Sequence, residues 1–550
     1  MRSGVLMRLP CADTILANGT VFVGVGNGLA EAVALWNGQV LATGTTQEIE
    51  SLKGPGTRVV DLAGRLATPG LHEAHMHLLP LGLMMADVDV RPRFARTLDD
   101  LLKAIKAKAD SLKPGEWVMA RGYDQFELDV KRHPDRSELD AASPNNPVYL
   151  VRACGHISIV NSKALELAGV TTETPVPQGG AIEQVQGRLT GLLAETGRDP
   201  IKRVVPEPSS EELVAAIERA ARYCNSFGFT SCMDAAVGMR AKYAEIIAYR
   251  SAVLQDRMPI RTTLCLLGGP GGIVEQCHAE GLITGLGDDR LKVGPVKIFT
   301  DGSAGGRTAA MSGAYLGEPE TNGLFLLTDA EMDALTLDYH TKGYQLAVHA
   351  IGDAAIEQTL SAMEKALARH PDANRRHRIE HCGFNSDDQM RRMREAGIEV
   401  VPQPLFIHDF GDLYISVLGE KRSLSSYPMK TWLDHGFRAA ASSDAPVCDA
   451  NPFPNFYTML TRKTSRGTIM DAEEAISMEQ AIQAYTEFGA YVNKCEIHRG
   501  KLLPGMAADI AVFSRNLLTA TPEQVRDETE CDLTLLGGQP VHDRLGQWKS

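Results

Sequence analysis

The sequence predicts an α/β protein: a (β/α)8 TIM-like barrel, joined to a small β-sandwich formed from both termini, with a long insertion after the first barrel strand. Three observations carry this. Strands alternate with helical stretches through the middle of the chain, short strands separated by turns occupy both ends, and one over-long gap interrupts the alternation.

At the N-terminal end, 20–23, 32–35, 39–42 and 58–60 read as strands, with Gly19, Asn37-Gly38 and Gly44 between them. Asn-Gly is a strong hairpin signal. Segments 509–513 and 533–536 read the same way, so 1–66 and 500–550 are assigned to one composite β-sandwich domain. The barrel is assigned to 67–499, with candidate strands near 67–75, 229–234, 261–266, 295–300, 345–349, 378–381, 398–402 and 438–444. Amphipathic stretches such as 353–367 and 386–396 supply helices between them. The gap of about 80–225 is too long for one crossover and predicts an inserted subdomain, with a strand at 147–152 and helices near 97–110 and 210–226.

Bulk properties narrow the function. A hydrophobic content of 44% and a charged content of 23% suit a soluble globular chain. The net charge of −13 argues against nucleic acid or an anionic membrane as partner, because phosphates want a basic face. The ten cysteines form no Cys-x-x-Cys pair and read as reduced thiols. Arg2 and Arg8 precede no apolar core, and the longest apolar stretch, 78–86, holds Pro80 and Gly82 and falls short of the ~20 residues that span a bilayer. A cytoplasmic protein acting on a small-molecule substrate is expected.

The sharpest local signal runs from Thr68 to His77, TPGLHEAHMH. Residues two apart on a strand share a face, so His75 and His77 can converge on one ion, and neutral imidazoles suit zinc. Alone, a His-x-His pair is equally well a pair of structural histidines. His349, His381 and Asp444 each end an apolar strand, and Lys297 lies inside one, where barrel enzymes place their chemistry. A charged lysine there is costly unless paired or modified. Carbamylation by CO2 makes it a metal-bridging carboxylate; a salt bridge to Asp301 or Asp444 is the alternative. His72 alternates away from His75 and is not expected to bind metal.

Taken together, these residues resemble the amidohydrolase superfamily, and within it the YtcJ-like (amidohydrolase 3) branch, which includes N-substituted formamide deformylase activity. The matching segments are 69–77, Gly122-Tyr123-Asp124-Gln125, Gly155-His156, Asn161 to Leu165, Lys297 to Arg307, His349 to Asp353, Ile379-Glu380-His381, Ser443 to Pro446 and Gly505 to Asp509. Two positions depart from the branch: Glu73 stands where aspartate is usual, and Cys154 replaces a frequent acidic residue.

The resemblance implies a divalent metal, zinc by preference, as one or two ions. His75, His77 and Asp444 would hold one, His349 and His381 a second, with N6-carboxylated Lys297 bridging. Asp444 would also be the catalytic proton carrier. His156, Asp124, Asp301 and Arg307 are candidate substrate-binding residues; for Asp124 a turn, and for Arg307 a loop salt bridge, are the competing readings. The implied reaction is cleavage of a carboxamide-type C–N bond, in an N-formyl or N-acyl amine or a cyclic amide, by metal-activated water. Deamination of a nitrogen heterocycle and ester or lactone hydrolysis are alternatives at the same site. A binding protein on an inactive barrel would lack ligands, yet every expected position is filled. A homodimer is expected because such enzymes commonly associate. The remaining histidines at 278, 340, 370, 435, 498 and 542 lie in polar or helical contexts and are expected at the surface, and His377 is expected to be structural.

Overall fold

Seven apolar segments pair in parallel, in chain order, into a sheet that nearly closes on itself: β1 (Leu71–Met76), β2 (Phe229–Val237), β3 (Arg261–Leu267), β4 (Leu291–Phe299), β5 (Leu346–Ala350), β6 (Arg378–His381) and β7 (Glu399–Val401). Strands covered on both faces have no solvated side, and every position of β1, β2, β6 and β7 is buried, polar residues included. Capped helices follow, among them Asp329–Thr341, with a Thr328–Glu331 capping box, and Asp387–Ala396, with Ser386 and Gln389 in the same roles. The computed structural model describes residues 10–92, 94–152, 157–177, 180–372 and 374–549.

The eighth position departs from expectation. Residues 438–444 form no regular strand. The segment lies beside β1, where Asp444 N–H donates to the His75 carbonyl (2.9 Å) and His77 N–H to that of Ala445 (2.7 Å). Toward β7 the contacts are made by side chains instead: Gln403 Nε2 donates to Ser442 Oγ (2.9 Å), which donates to the Pro402 carbonyl (2.9 Å). A backbone ladder is therefore absent on that side, and the left-handed turn of Asp444 (φ 56°) ends pairing on the other.

The predicted strand 67–75 is two strands divided at Gly70. Leu66–Pro69 pairs antiparallel with Ile510–Phe513, whereas Leu71 enters the barrel beside Phe229. A Cβ on Gly70 would stand 2.3 Å from Thr230 Oγ1, so this crossing accepts only glycine. Leu66–Pro69 belongs to a six-stranded sheet that mixes both chain ends, and Ala12–Ala17 to a neighbouring four-stranded one. Leu16, Val33 and Val60 share a buried apolar cluster with Ile510, Val512 and Leu533.

A second unit, Gly82–Ala216, has its own six-stranded sheet and its own core, including Leu101, Ile105, Val118, Leu150 and Ile159. Among the described residues no helix is long and apolar enough to cross a membrane. The nine described cysteines are all free.

His340 corrects the reading of its helix as solvent-facing: it is 2% exposed and its Nδ1 lies 3.0 Å from His377 Nε2. A second buried imidazole gives it the partner that its polar neighbours in sequence concealed.

Candidate metal centre

The carboxyl ends of the parallel strands bring His75, Lys297, His349 and His381 to one end of the barrel, where Asp444 joins them from the eighth segment. Ligand atoms of His75, His381 and Asp444 all lie within 4.8 Å of one another. The His75 ring centroid is 5.0 Å from that of His381 and 5.7 Å from that of His77, and His349 and His381 are 4.4 Å apart. His75, His381 and Lys297 are buried, and His77 and His349 are half-buried.

The outer nitrogens of the central imidazoles are taken. His75 Nδ1 is bound to the Glu380 carboxylate, and His381 Nδ1 lies 2.5 Å from Gln403 Oε1. Both partners accept, so each Nδ1 carries its hydrogen and each Nε2 presents a lone pair inward. His75 Nε2 stands 3.3 Å from Asp444 Oδ1, and His77 Nε2 stands 3.2 Å from the same oxygen. That oxygen is nevertheless buried without a hydrogen bond. His75 Nε2 and Asp444 Oδ1, both acceptors, repel across such a distance unless a cation lies between them, so the donor set fits a divalent metal. Burial opposes ionisation of Asp444, and positive charge beside its Oδ1, on the His75 and His77 rings or on a cation held in their place, lowers the carboxyl pKa again.

Lys297 is fully buried, with its Nζ 3.4 Å from His75 Nε2 and 4.8 Å from the centroid of the Phe299 ring. Among the described residues it has no carboxylate within 4.0 Å, so the salt bridge to Asp301 or Asp444 is not formed. Burial lowers the pKa of the amine, against the opposing pull of Glu380 and Asp444. An uncharged amine is the form that adds to CO2.

His381 (φ 69°) and Asp444 (φ 56°) both hold left-handed backbone. For non-glycine residues this costs of order 1–3 kcal/mol and clusters at functional sites.

Beneath the ligands lies a charged network whose roles the sequence did not reveal. Arg378, inside β6, donates from Nε to Glu380 Oε1 (2.5 Å), from Nη2 to Glu380 Oε2 (3.0 Å) and to the Ala74 carbonyl (2.8 Å), and from Nη1 to Asn493 Oδ1 (3.2 Å). Although burial works against its charge, Arg378 and His75 keep the Glu380 carboxyl far below its ordinary value. A charged residue inside an apolar strand, the signal that singled out Lys297, was present at Arg378 as well.

The other candidates separate. Asp301 is buried and accepts from the backbone N–H groups of Ala310 (3.0 Å), Ile351 (3.1 Å) and Gly352 (2.9 Å), with Oδ1 3.3 Å from His349 Nε2. It fastens the loop after β4 to the turn after β5. His349 Nε2 also lies 3.0 Å from the Gly302 carbonyl. Arg307 is paired with Glu318 in a loop salt bridge. Asp124 belongs to the second unit, where it pairs with Arg152 at 3.2 Å and accepts from Phe126 N–H at 2.9 Å. His156 and Cys154 lie outside the described residues. Glu73 reaches backbone rather than imidazole: its Oε1 accepts from Ser443 N–H (3.0 Å) and His75 N–H (3.3 Å). Burial raises its carboxyl to about 8 despite those hydrogen bonds. His72 is bound to Asn493 Nδ2 at 2.9 Å.

A family model described as the amidohydrolase family matches residues 58–542. A Bacillus subtilis (strain 168) protein, YtcJ, an amidohydrolase by name, is 30% identical over 528 residues, covering 94% of this chain and 96% of its own. The N-substituted formamide deformylase of Arthrobacter pascens is 28% identical over 545 residues, covering 97% and 99%. Among solved structures, an uncharacterized metal-dependent hydrolase from Pyrococcus horikoshii superposes with a TM-score of 0.77 at 26% identity, covering 92% of this chain and 99% of that one.

Proposed function

This chain belongs to the amidohydrolase family, and from that membership we propose that it is a zinc hydrolase cleaving the carboxamide C–N bond of an N-formyl or N-acyl amine or a cyclic amide. The protein is a metal-dependent hydrolase of carbon–nitrogen bonds. The observation that carries metal-assisted hydrolysis is the unsatisfied Asp444 Oδ1 between two imidazole nitrogens. The relative named for formamide deformylation supports the amide class.

His75, His77 and Asp444 would hold one cation and His349 and His381 a second, and Lys297, if carboxylated, would supply a further oxygen donor. A bound divalent cation supplies Lewis acidity, lowering the pKa of water toward neutrality and polarising a carbonyl. Asp444 accepts the proton of the attacking water and returns it to the leaving nitrogen. Glu380 and Gln403 hold the rings of His75 and His381 so that neither must reorient as charge develops.

Metal analysis of the purified protein, paired with a screen of N-formyl, N-acyl and cyclic amides, tests the reading. Zinc at one or two equivalents per chain with amine release from an amide is expected. Ammonia release from nitrogen heterocycles, with no amide turned over, would overturn the substrate class.

A further inference from the structure

The N-terminal ends of β4 and β5, remote along those strands from Lys297 and His349, border a cavity of about 300 Å³ whose lining includes Lys292, Lys494, Arg499, Asp288 and Asp289. We propose that this cavity binds a small oxyanion of the phosphate class, independently of the reaction assigned above.

The acids in the lining are already engaged. Asp289 is held by Arg499 at 2.9 Å and by Arg261 at 3.5 Å. Asp288 Oδ1 accepts from the backbone N–H groups of Arg290 (2.7 Å) and Leu291 (3.0 Å), closing the turn into β4.

The cations are engaged less completely: Arg499 is spent on Asp289, whereas the two lysines have no acid of their own. Lys292 Nζ donates to the carbonyls of Asn493 (2.5 Å) and Lys494 (3.2 Å), which leaves one of its three N–H groups over. Among the described residues neither Lys292 nor Lys494 has a carboxylate oxygen within 4.0 Å. Arg499 is 8% exposed, and its Nε is buried with no partner. Burial first, then Arg375, Arg376 and Lys292, push the Lys494 amine down to about 8. Burial likewise lowers Lys292, with Arg499 adding repulsion.

Three cationic side chains therefore line one cavity, and among the described residues two of them, Lys292 and Lys494, have no carboxylate within 4.0 Å. A tetrahedral oxyanion in the cavity would accept from the lysine N–H groups left over, and its charge would relieve the mutual repulsion of Lys292, Lys494 and Arg499. Asn493, the residue that holds both Arg378 and His72, also lines the cavity, so the occupant would rest against the base of the network that supports His75.

Calorimetric titration of the full chain with inorganic phosphate, against chloride at equal ionic strength, tests this without reference to turnover. Phosphate is expected to bind, Lys494→Gln to weaken it by roughly tenfold or more, and Lys494→Arg to retain it. Acetylation of the wild-type protein, read by mass spectrometry, needs no variant: saturating phosphate is expected to protect Lys494 and leave the exposed Lys53 unchanged. No binding above the chloride control, equal binding by Lys494→Gln, or unprotected Lys494 overturns the proposal. Binding of malonate without phosphate overturns the assignment to the phosphate class.

Discussion

Glu380 grips His75 through Nδ1 with one carboxylate oxygen, while both its oxygens are held by Arg378. One buried anion thus orients an imidazole and neutralises a guanidinium. Glu380→Gln keeps the shape and removes the charge. Loss of the orienting carboxylate is expected to lower metal content or kcat/KM by roughly 10–100-fold. The stranded Arg378 charge is expected to cost about 3 kcal/mol or more of stability. Metal analysis and urea unfolding of the same preparation read both. Unaltered metal affinity would show that His75 needs no anchor.

Asp444 is assigned two tasks, ligand and proton carrier. Asp444→Asn retains an oxygen donor but cannot ionise, so turnover is expected to fall at least about 10²-fold while circular dichroism stays native. His77→Ala removes a half-buried side chain and is expected to abolish turnover without unfolding the chain. A folded Asp444→Asn variant with normal kcat would refute the proton relay.

The ligand positions were legible because each is a polar residue in or at the end of an apolar strand, a conflict between burial and charge that a single sequence displays. Their supports were not. Gln403 lies beyond the end of β7, and its partner His381 is supplied by the fold, not by any local pattern. The division at Gly70 was hidden because both strands are apolar and contiguous, and only the side chain of Thr230, far along the chain, makes glycine necessary there. The eighth segment, predicted as a strand, lies beside β1 without regular pairing: Ser442 and Asp444 put side-chain hydrogen bonds and a left-handed turn in its place, neither of which hydrophobic periodicity reports.

Lys297 separates two chemistries by one substitution. Its amine is held toward the uncharged form by burial, with no carboxylate within 4.0 Å among the described residues. Protein prepared in 13C-bicarbonate is expected to show a carbamate carbon by NMR that Lys297→Ala lacks. If the carboxylate is the functional part, acetate or propionate added to Lys297→Ala should restore metal binding and part of the activity. Full activity of Lys297→Ala without added acid would leave the lysine a packing residue.

The His340–His377 pair makes stability depend on pH. Leu346 N–H donates to His377 Nδ1 at 3.0 Å, so that nitrogen is an acceptor and Nε2 carries the hydrogen. Nε2 donates to His340 Nδ1 at 3.0 Å, and His340 Nε2 to the His370 carbonyl at 2.7 Å. Every link requires neutral rings. Burial first, then His340, Arg375 and Lys494, hold the His377 pKa well below its ordinary 6.5. The unfolded chain binds this proton near 6.5 and the folded chain does not. Stability is therefore complete above that pH and is lost as pH falls below it, by up to about 1.4 kcal/mol per pH unit for this residue. Buried His72, shifted in the same direction mainly by burial, adds to the slope. His377→Phe is expected to be less stable at neutral pH, because Leu346 N–H and His340 lose their partner, yet to show a shallower decline between pH 6.5 and about 5. Urea midpoints across that range measure it, and a variant slope equal to wild type would mean that His377 is already protonated in the fold.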